Sequence, residues 1–98
     1  MSYQVRFPNN SLERKFDKAL EEVFPTKLRL EIMDAIDKLS ANPRPFGNPK
    51  IKPPIEAYGF LAQYRIRIGD YRVLYDVDDE RKIVWILVLR RRNERTYN

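Results

Sequence analysis

The sequence predicts an α+β domain: an N-terminal strand, a helical hairpin, then a mainly antiparallel sheet. Three observations predict it. Two helical stripes of apolar residues come early, strict strand alternation around a two-residue turn comes late, and a proline-rich stretch between them suits neither helix nor central strand.

Tyr3 to Phe7 reads as the first strand, ended by Pro8 and the turn-forming Asn9 and Asn10. Asn10, with Glu13 three residues on, resembles a capping arrangement for a first helix. Leu12, Phe16, Ala19, Leu20 and Val23 fall on one of its faces, and Pro25 ends the pattern. Thr26 is expected to cap a second helix, whose stripe is Leu28, Ile32, Ala35, Ile36 and Leu39 and whose stop is Asn42 with Pro43. Between Ala41 and Pro54, Pro43, Pro45, Pro49, Pro53, Pro54 and Gly47 exclude regular structure, so this segment is a connection leading back to a sheet. Tyr58 to Ile68 reads as a strand in which Tyr64, Ile66 and Ile68 alternate with Arg65 and Arg67. Gly69 and Asp70 turn the chain into Tyr71 to Val77. After a turn at Asp78 to Arg81, the unbroken apolar run Ile83 to Leu89 is expected to be a strand covered on both faces. Arg90 to Asn98 is polar.

With 98 residues the chain is read as a single domain spanning 1–98, since two cores of this size would each bury too little. Apolar residues at 43% suffice for one core, and the mixed signs of the charged 34% argue against disorder. Cysteine is absent, which excludes disulfides and thiolate metal sites and suits a reducing compartment. Met1 to Phe7 lacks the apolar run of a signal peptide, and no stretch nears the roughly 20 apolar residues of a bilayer span. A cytoplasmic location without a membrane partner is expected.

The net charge of +5 attracts anions, but placement says more. From Tyr64 onward the chain carries Arg65, Arg67, Arg72, Arg81, Lys82, Arg90, Arg91, Arg92 and Arg95. Arginine outnumbers lysine there, and its planar fork of donors matches phosphate. Alternation puts Arg65 and Arg67 on one sheet face, where Arg72 joins them if the hairpin register is simple. Such like charges repel unless an anion lies between them. Asp76, Asp78, Asp79 and Glu80 can be read as a magnesium site, but their place in a turn needs no metal to explain it. Tyr58, Phe60 and Trp85 are read as core rather than as stacking platforms.

The hairpin Tyr64-Arg65-Ile66-Arg67-Ile68-Gly69-Asp70-Tyr71-Arg72-Val73-Leu74-Tyr75, followed by an apolar strand and Arg91-Arg92-Asn93-Glu94-Arg95-Thr96-Tyr97, resembles the RelE/ParE superfamily of bacterial toxins. The order of elements agrees over essentially the whole chain. In the RelE branch, basic residues matching Arg65, Arg67, Arg72 and Arg91, with a terminal tyrosine matching Tyr97, cleave messenger RNA in the ribosomal A site. The resemblance therefore implies a RelE-like toxin of a toxin-antitoxin pair, an mRNA endoribonuclease that inhibits translation, with a cognate antitoxin, the ribosome and mRNA as partners. Arg65, Arg67, Arg72, Arg91 and Tyr97 are its implied catalytic residues, and Arg65, Arg67, Arg90, Arg92 and Arg95 its RNA contacts.

Arg65 and Arg67 stand where the best-known members carry lysines. Arginine stabilises phosphate but rarely gives up a proton, and histidine is absent. The expected chemistry is attack of the ribose 2′-hydroxyl on the adjacent phosphate, with neither metal nor cofactor, Tyr97 being the candidate for proton transfer or base stacking. Two other readings are a ParE-like inhibitor of DNA gyrase without nuclease activity and a non-catalytic RNA-binding module.

Overall fold

The structure, a computed structural model, describes residues 2–45 and 50–92. The elements are β1 (Gln4–Arg6), α1 (Asn10–Glu21), α2 (Thr26–Lys38), β2 (Ile55–Ala57), β3 (Phe60–Ala62), β4 (Tyr64–Ile68), β5 (Tyr71–Asp78) and β6 (Ile83–Arg91). This is the expected α+β order, with differences at several ends. Asn9, not Asn10, caps α1, because its extended backbone lets the side-chain oxygen accept the Leu12 N–H at 2.9 Å. Thr26 is the first helical residue of α2 rather than its cap; Pro25 holds the cap position without a side-chain bond.

One sheet has the order β1-β6-β5-β4, with β1 parallel to β6 and the other pairs antiparallel. Its front face carries Tyr64, Ile66, Val73, Tyr75, Val84, Ile86 and Leu89, packed with Phe16, Val23, Ile32 and Leu39 of the helical hairpin. The back face carries Leu74, Leu87 and Val88, packed with Ala57, Ala62 and Leu12. β6 is thus covered on both sides, which is why its sequence shows no alternation.

The expected strand from Tyr58 to Ile68 is two strands plus a turn. Ile55–Ala57 and Phe60–Ala62 pair across Tyr58 and Gly59, whose φ values of 53° and 87° make the tight turn that matches strand twist. This small hairpin lies on the back of the main sheet through Ala57 and Ala62, both buried. It leaves Tyr58 52% and Phe60 37% exposed, so neither is a core residue.

At the β4–β5 turn Gly69 has φ 58°, and a Cβ there would meet Leu28 Cδ1 at 3.1 Å. Glycine therefore serves both the turn and the close approach of α2. The start of the connection after α2 is fastened to the sheet. The buried Tyr75 hydroxyl donates to the Pro43 carbonyl at 2.7 Å, and Arg44 reaches Asp79 at 2.8 Å and the Tyr64 hydroxyl at 3.2 Å.

Candidate functional site

The site grows from strand register. Arg67 lies directly opposite Arg72 across β4 and β5, and Arg72 directly opposite Arg90 across β5 and β6. Cross-strand partners share a face, so the three form one row on the back of the sheet. Arg65 lies on the same face one pair further in, opposite Leu74. Arg67 is exposed, Arg65 and Arg72 are half-buried, and Arg90, beside Arg72, is buried.

Arg92 is brought to this row by its backbone. Its N–H donates to the Asp70 carbonyl, and its own carbonyl accepts a 2.8 Å bond from the Arg72 guanidinium. Arg67, Gly69, Tyr71, Arg72 and Arg92 then line an open cleft of about 270 Å³. Guanidinium groups around such a cleft attract phosphate, because their planar fork of donors matches its oxygens.

Arg91 lies elsewhere. It is the partner of Tyr71, with its guanidinium carbon 5.9 Å from the centre of that ring, and shares a small front-face pocket with Leu89 of β6 and with Ala19 and Glu22 from the α1 side. The cause is a β-bulge. Leu74 faces Val88 while Tyr75 faces Ile86, so Leu87 is an extra residue in β6. One extra residue exchanges the faces of everything beyond it. Without the bulge Arg91 would join Arg72; with it Arg90 does. Tyr97 and Arg95 lie outside the described residues.

Asp76 and Asp78 at the end of β5 and Asp79 just after it have partners of their own. Asp79 accepts from Arg44 and from the Tyr3 hydroxyl at 2.6 Å, Asp76 accepts from Gln63 at 3.2 Å, and Asp78 accepts the Arg81 N–H at 3.0 Å. The Arg44 bond and then the Tyr3 bond hold the Asp79 carboxyl below its usual range, while the Asp79 bond pushes the Tyr3 phenol up. The bonds to Asp79 and then Tyr64 push Arg44 up. Among the described residues no group of histidine, cysteine, aspartate or glutamate could hold a metal ion.

The sequence profile of the ParE toxin of type II toxin-antitoxin systems matches residues 9–95. Among solved structures, the archaeal RelE of a RelE-RelB complex from Pyrococcus horikoshii is 30% identical, over 97% of this chain and 100% of that one, with a TM-score of 0.68. The chain belongs to the RelE/ParE superfamily of toxins. It is also similar to a chain of the toxin-antitoxin complex RelBE2 from Mycobacterium tuberculosis, at 27% identity over 94% of this chain and 100% of that one, with a TM-score of 0.61. A free-state arginine mutant of the E. coli toxin RelE shares the fold at 19% identity, over 95% of this chain and 86% of that one, with a TM-score of 0.59. No curated protein sequence matches the chain.

As a RelE/ParE toxin the chain places Arg65, Arg67 and Arg72 together, and sets Arg91 apart from them. The alignment of Arg90 with Arg72 had no signal in the sequence, because an all-apolar strand gives no clue to its own parity. The Arg44–Asp79 link was also illegible, since its partners are 35 residues apart. Among the described residues no helix is long and apolar enough to cross a membrane.

Proposed function

We propose that this toxin is a ribosome-dependent mRNA endonuclease, silenced by a cognate antitoxin. The observation that carries the reading is the cross-strand row of Arg67, Arg72 and Arg90, with Arg65 on the same face and Arg92 at the cleft. Cations placed side by side on one sheet face raise the local positive potential and draw an anion to that face. An RNA phosphate is such an anion. In this reading the ribose 2′-oxygen gives up its proton and bonds to the adjacent phosphorus as the bond to the 5′-oxygen of the next nucleotide breaks and that oxygen takes up a proton, leaving a 2′,3′-cyclic phosphate, while Arg67 and Arg72 neutralise the charge that grows on the phosphorus oxygens. Arg90 adds positive charge from the adjacent strand, Arg65 holds the neighbouring phosphate, and Tyr97 moves the proton or stacks on a base. Arginine is a poor general acid or base, so the ribosome supplies the alignment for in-line attack.

A second reading, a ParE-like inhibitor of DNA gyrase that cuts nothing, is favoured by the ParE profile and by the position of Arg91 on the other face. Inducing the chain in cells without a partner separates the two. The nuclease reading expects translation to stop with new mRNA 5′ ends inside codons on ribosomes, and chelators to leave in vitro cleavage unchanged. Loss of supercoiling with intact mRNA decides for the gyrase inhibitor.

A further inference from the structure

The back face of the sheet has two chemically opposite ends, separated by the β2–β3 hairpin. One is the arginine row. At the other, Asp76 is the cross-strand partner of Trp85, and Asp78, two residues on, lies on the same face. Between that end and the hairpin runs a groove of about 550 Å³, lined by Pro8, Phe60, Leu61, Trp85 and Leu87, with Gln63 and Asp76 as its polar members. Among the described residues Asp76 is the sole charged side chain in that lining. Leu61 is 57% exposed and Phe60 37%, so the groove presents apolar surface to solvent.

Among the described residues the outer edge of β3 pairs with no other strand. β2 and β3 form a two-stranded sheet, with Ala57 paired to Phe60 and Ile55 to Ala62 around a two-residue turn. In such a hairpin the closing pair exchanges both backbone bonds, so alternation turns the N–H and C=O of Leu61 to the outer edge of β3. Leu61 is also a lining residue of the groove.

We propose that this groove seats an extended apolar segment of the antitoxin carrying one basic side chain, which adds to the open edge of β3 at Leu61 and pairs with Asp76. The proposal rests on the antitoxin partner of the preceding reading, and not on nuclease activity. Charge selects a peptide over RNA. Asp76 lies four residues from Arg72 on β5, about 13 Å along the strand. A polypeptide can put carboxylates over the arginines and a cation over Asp76, whereas a nucleic acid strand is anionic throughout and is repelled at the acidic end. Arg6, exposed on β1 beside Trp85, lies two strands from Asp76, about 10 Å away, and leaves that seat negative. The main-chain bonds at Leu61 supply affinity, and alternate side chains entering between Trp85 and Phe60 supply fit.

Trp85 is the single tryptophan of the chain and reports directly. The test labels it with 5-fluorotryptophan in this chain alone, and compares the free toxin with the purified toxin–antitoxin complex by fluorine NMR and acrylamide quenching. Complex formation is expected to shift the resonance and shield the ring from the quencher. Asp76→Lys is expected to weaken antitoxin binding roughly 10- to 100-fold, Asp76→Asn less, and a Lys or Arg to Glu exchange in the antitoxin segment to restore binding to Asp76→Lys. Equal quenching in the free toxin and the complex overturns the proposal, as does a single-stranded RNA hexamer shielding Trp85 where the antitoxin does not. If Asp76→Lys does not fold, quenching of the unsubstituted chain still decides. A complex that shields Trp85 around a chain that cuts no RNA sinks the nuclease reading alone, and cleavage with Trp85 unshielded sinks this proposal alone.

Discussion

Replacing Arg67 by threonine should make the protein more stable and less active. Arg67 is exposed on β4, opposite Arg72 and two strands from Arg90, and threonine suits a strand as well as arginine does. At a separation of about 6 Å two unit charges repel by about 0.7 kcal/mol at the dielectric of water, and at about 10 Å by about 0.4 kcal/mol, both lower bounds where Arg72 is half-buried and Arg90 buried. Removing Arg67 therefore relieves about 1 kcal/mol at low salt, which for a domain of this size raises Tm by about 4–8 °C. The gain should vanish near 1 M salt, where the Debye length is about 3 Å. Added phosphate should stabilise the unsubstituted protein more than the variant, because the site that binds it is also the source of the strain. The assay is thermal unfolding at two salt concentrations, with and without phosphate, alongside single-turnover cleavage on ribosomes, where roughly a tenfold loss is expected. A fall in Tm, or a gain that ignores salt, refutes the claim that the row stores like-charge repulsion.

Arg72→Ala removes both a phosphate donor and the bond that holds the Arg92 carbonyl, so cleavage should fall roughly 10²- to 10³-fold, while Arg91→Ala, on the front face, should change it by less than about tenfold. Single-turnover rates on saturating ribosomes measure both, and an equal loss for the two would reverse the assignment of faces. Tyr97→Phe should slow cleavage roughly 10²- to 10⁴-fold if the hydroxyl carries the proton; an unchanged rate beside an inactive Tyr97→Ala marks a stacking platform instead. Tyr75→Phe leaves the Pro43 carbonyl without its donor and should destabilise by about 1–3 kcal/mol, read by urea unfolding with an unchanged m-value. The Asp79 carboxyl is depressed in the folded state, so its contribution is present above its unfolded value near 4 and is lost as pH falls through the lower folded value. Tyr3, raised, contributes below its unfolded value near 10 and loses that as pH rises through the folded value. Asp79→Asn should flatten the acid limb of a Tm–pH curve; an unchanged acid limb would show that the Tyr3–Asp79–Arg44 clasp adds nothing.

The sequence by itself determined the strand, the helical hairpin and the β4–β5 hairpin, because each follows from a local period: Leu12 with Phe16, Leu28 with Ile32, and Tyr64, Ile66 and Ile68 against Arg65 and Arg67. It also placed Arg72 with Arg67, since a two-residue turn leaves one simple register. The β2–β3 hairpin escaped, because Tyr58 takes a positive φ that glycine or asparagine would have advertised and tyrosine does not. Only the tertiary structure decided which arginine of β6 joins the row. Ile83 to Leu89 is apolar throughout because both of its faces are buried, and a strand buried on both faces carries no alternation to fix its parity. The bulge at Leu87 gives β6 one residue more than β5 between these pairs, and because side chains alternate, that one residue sends Arg90 to the arginine row and Arg91 to the helices.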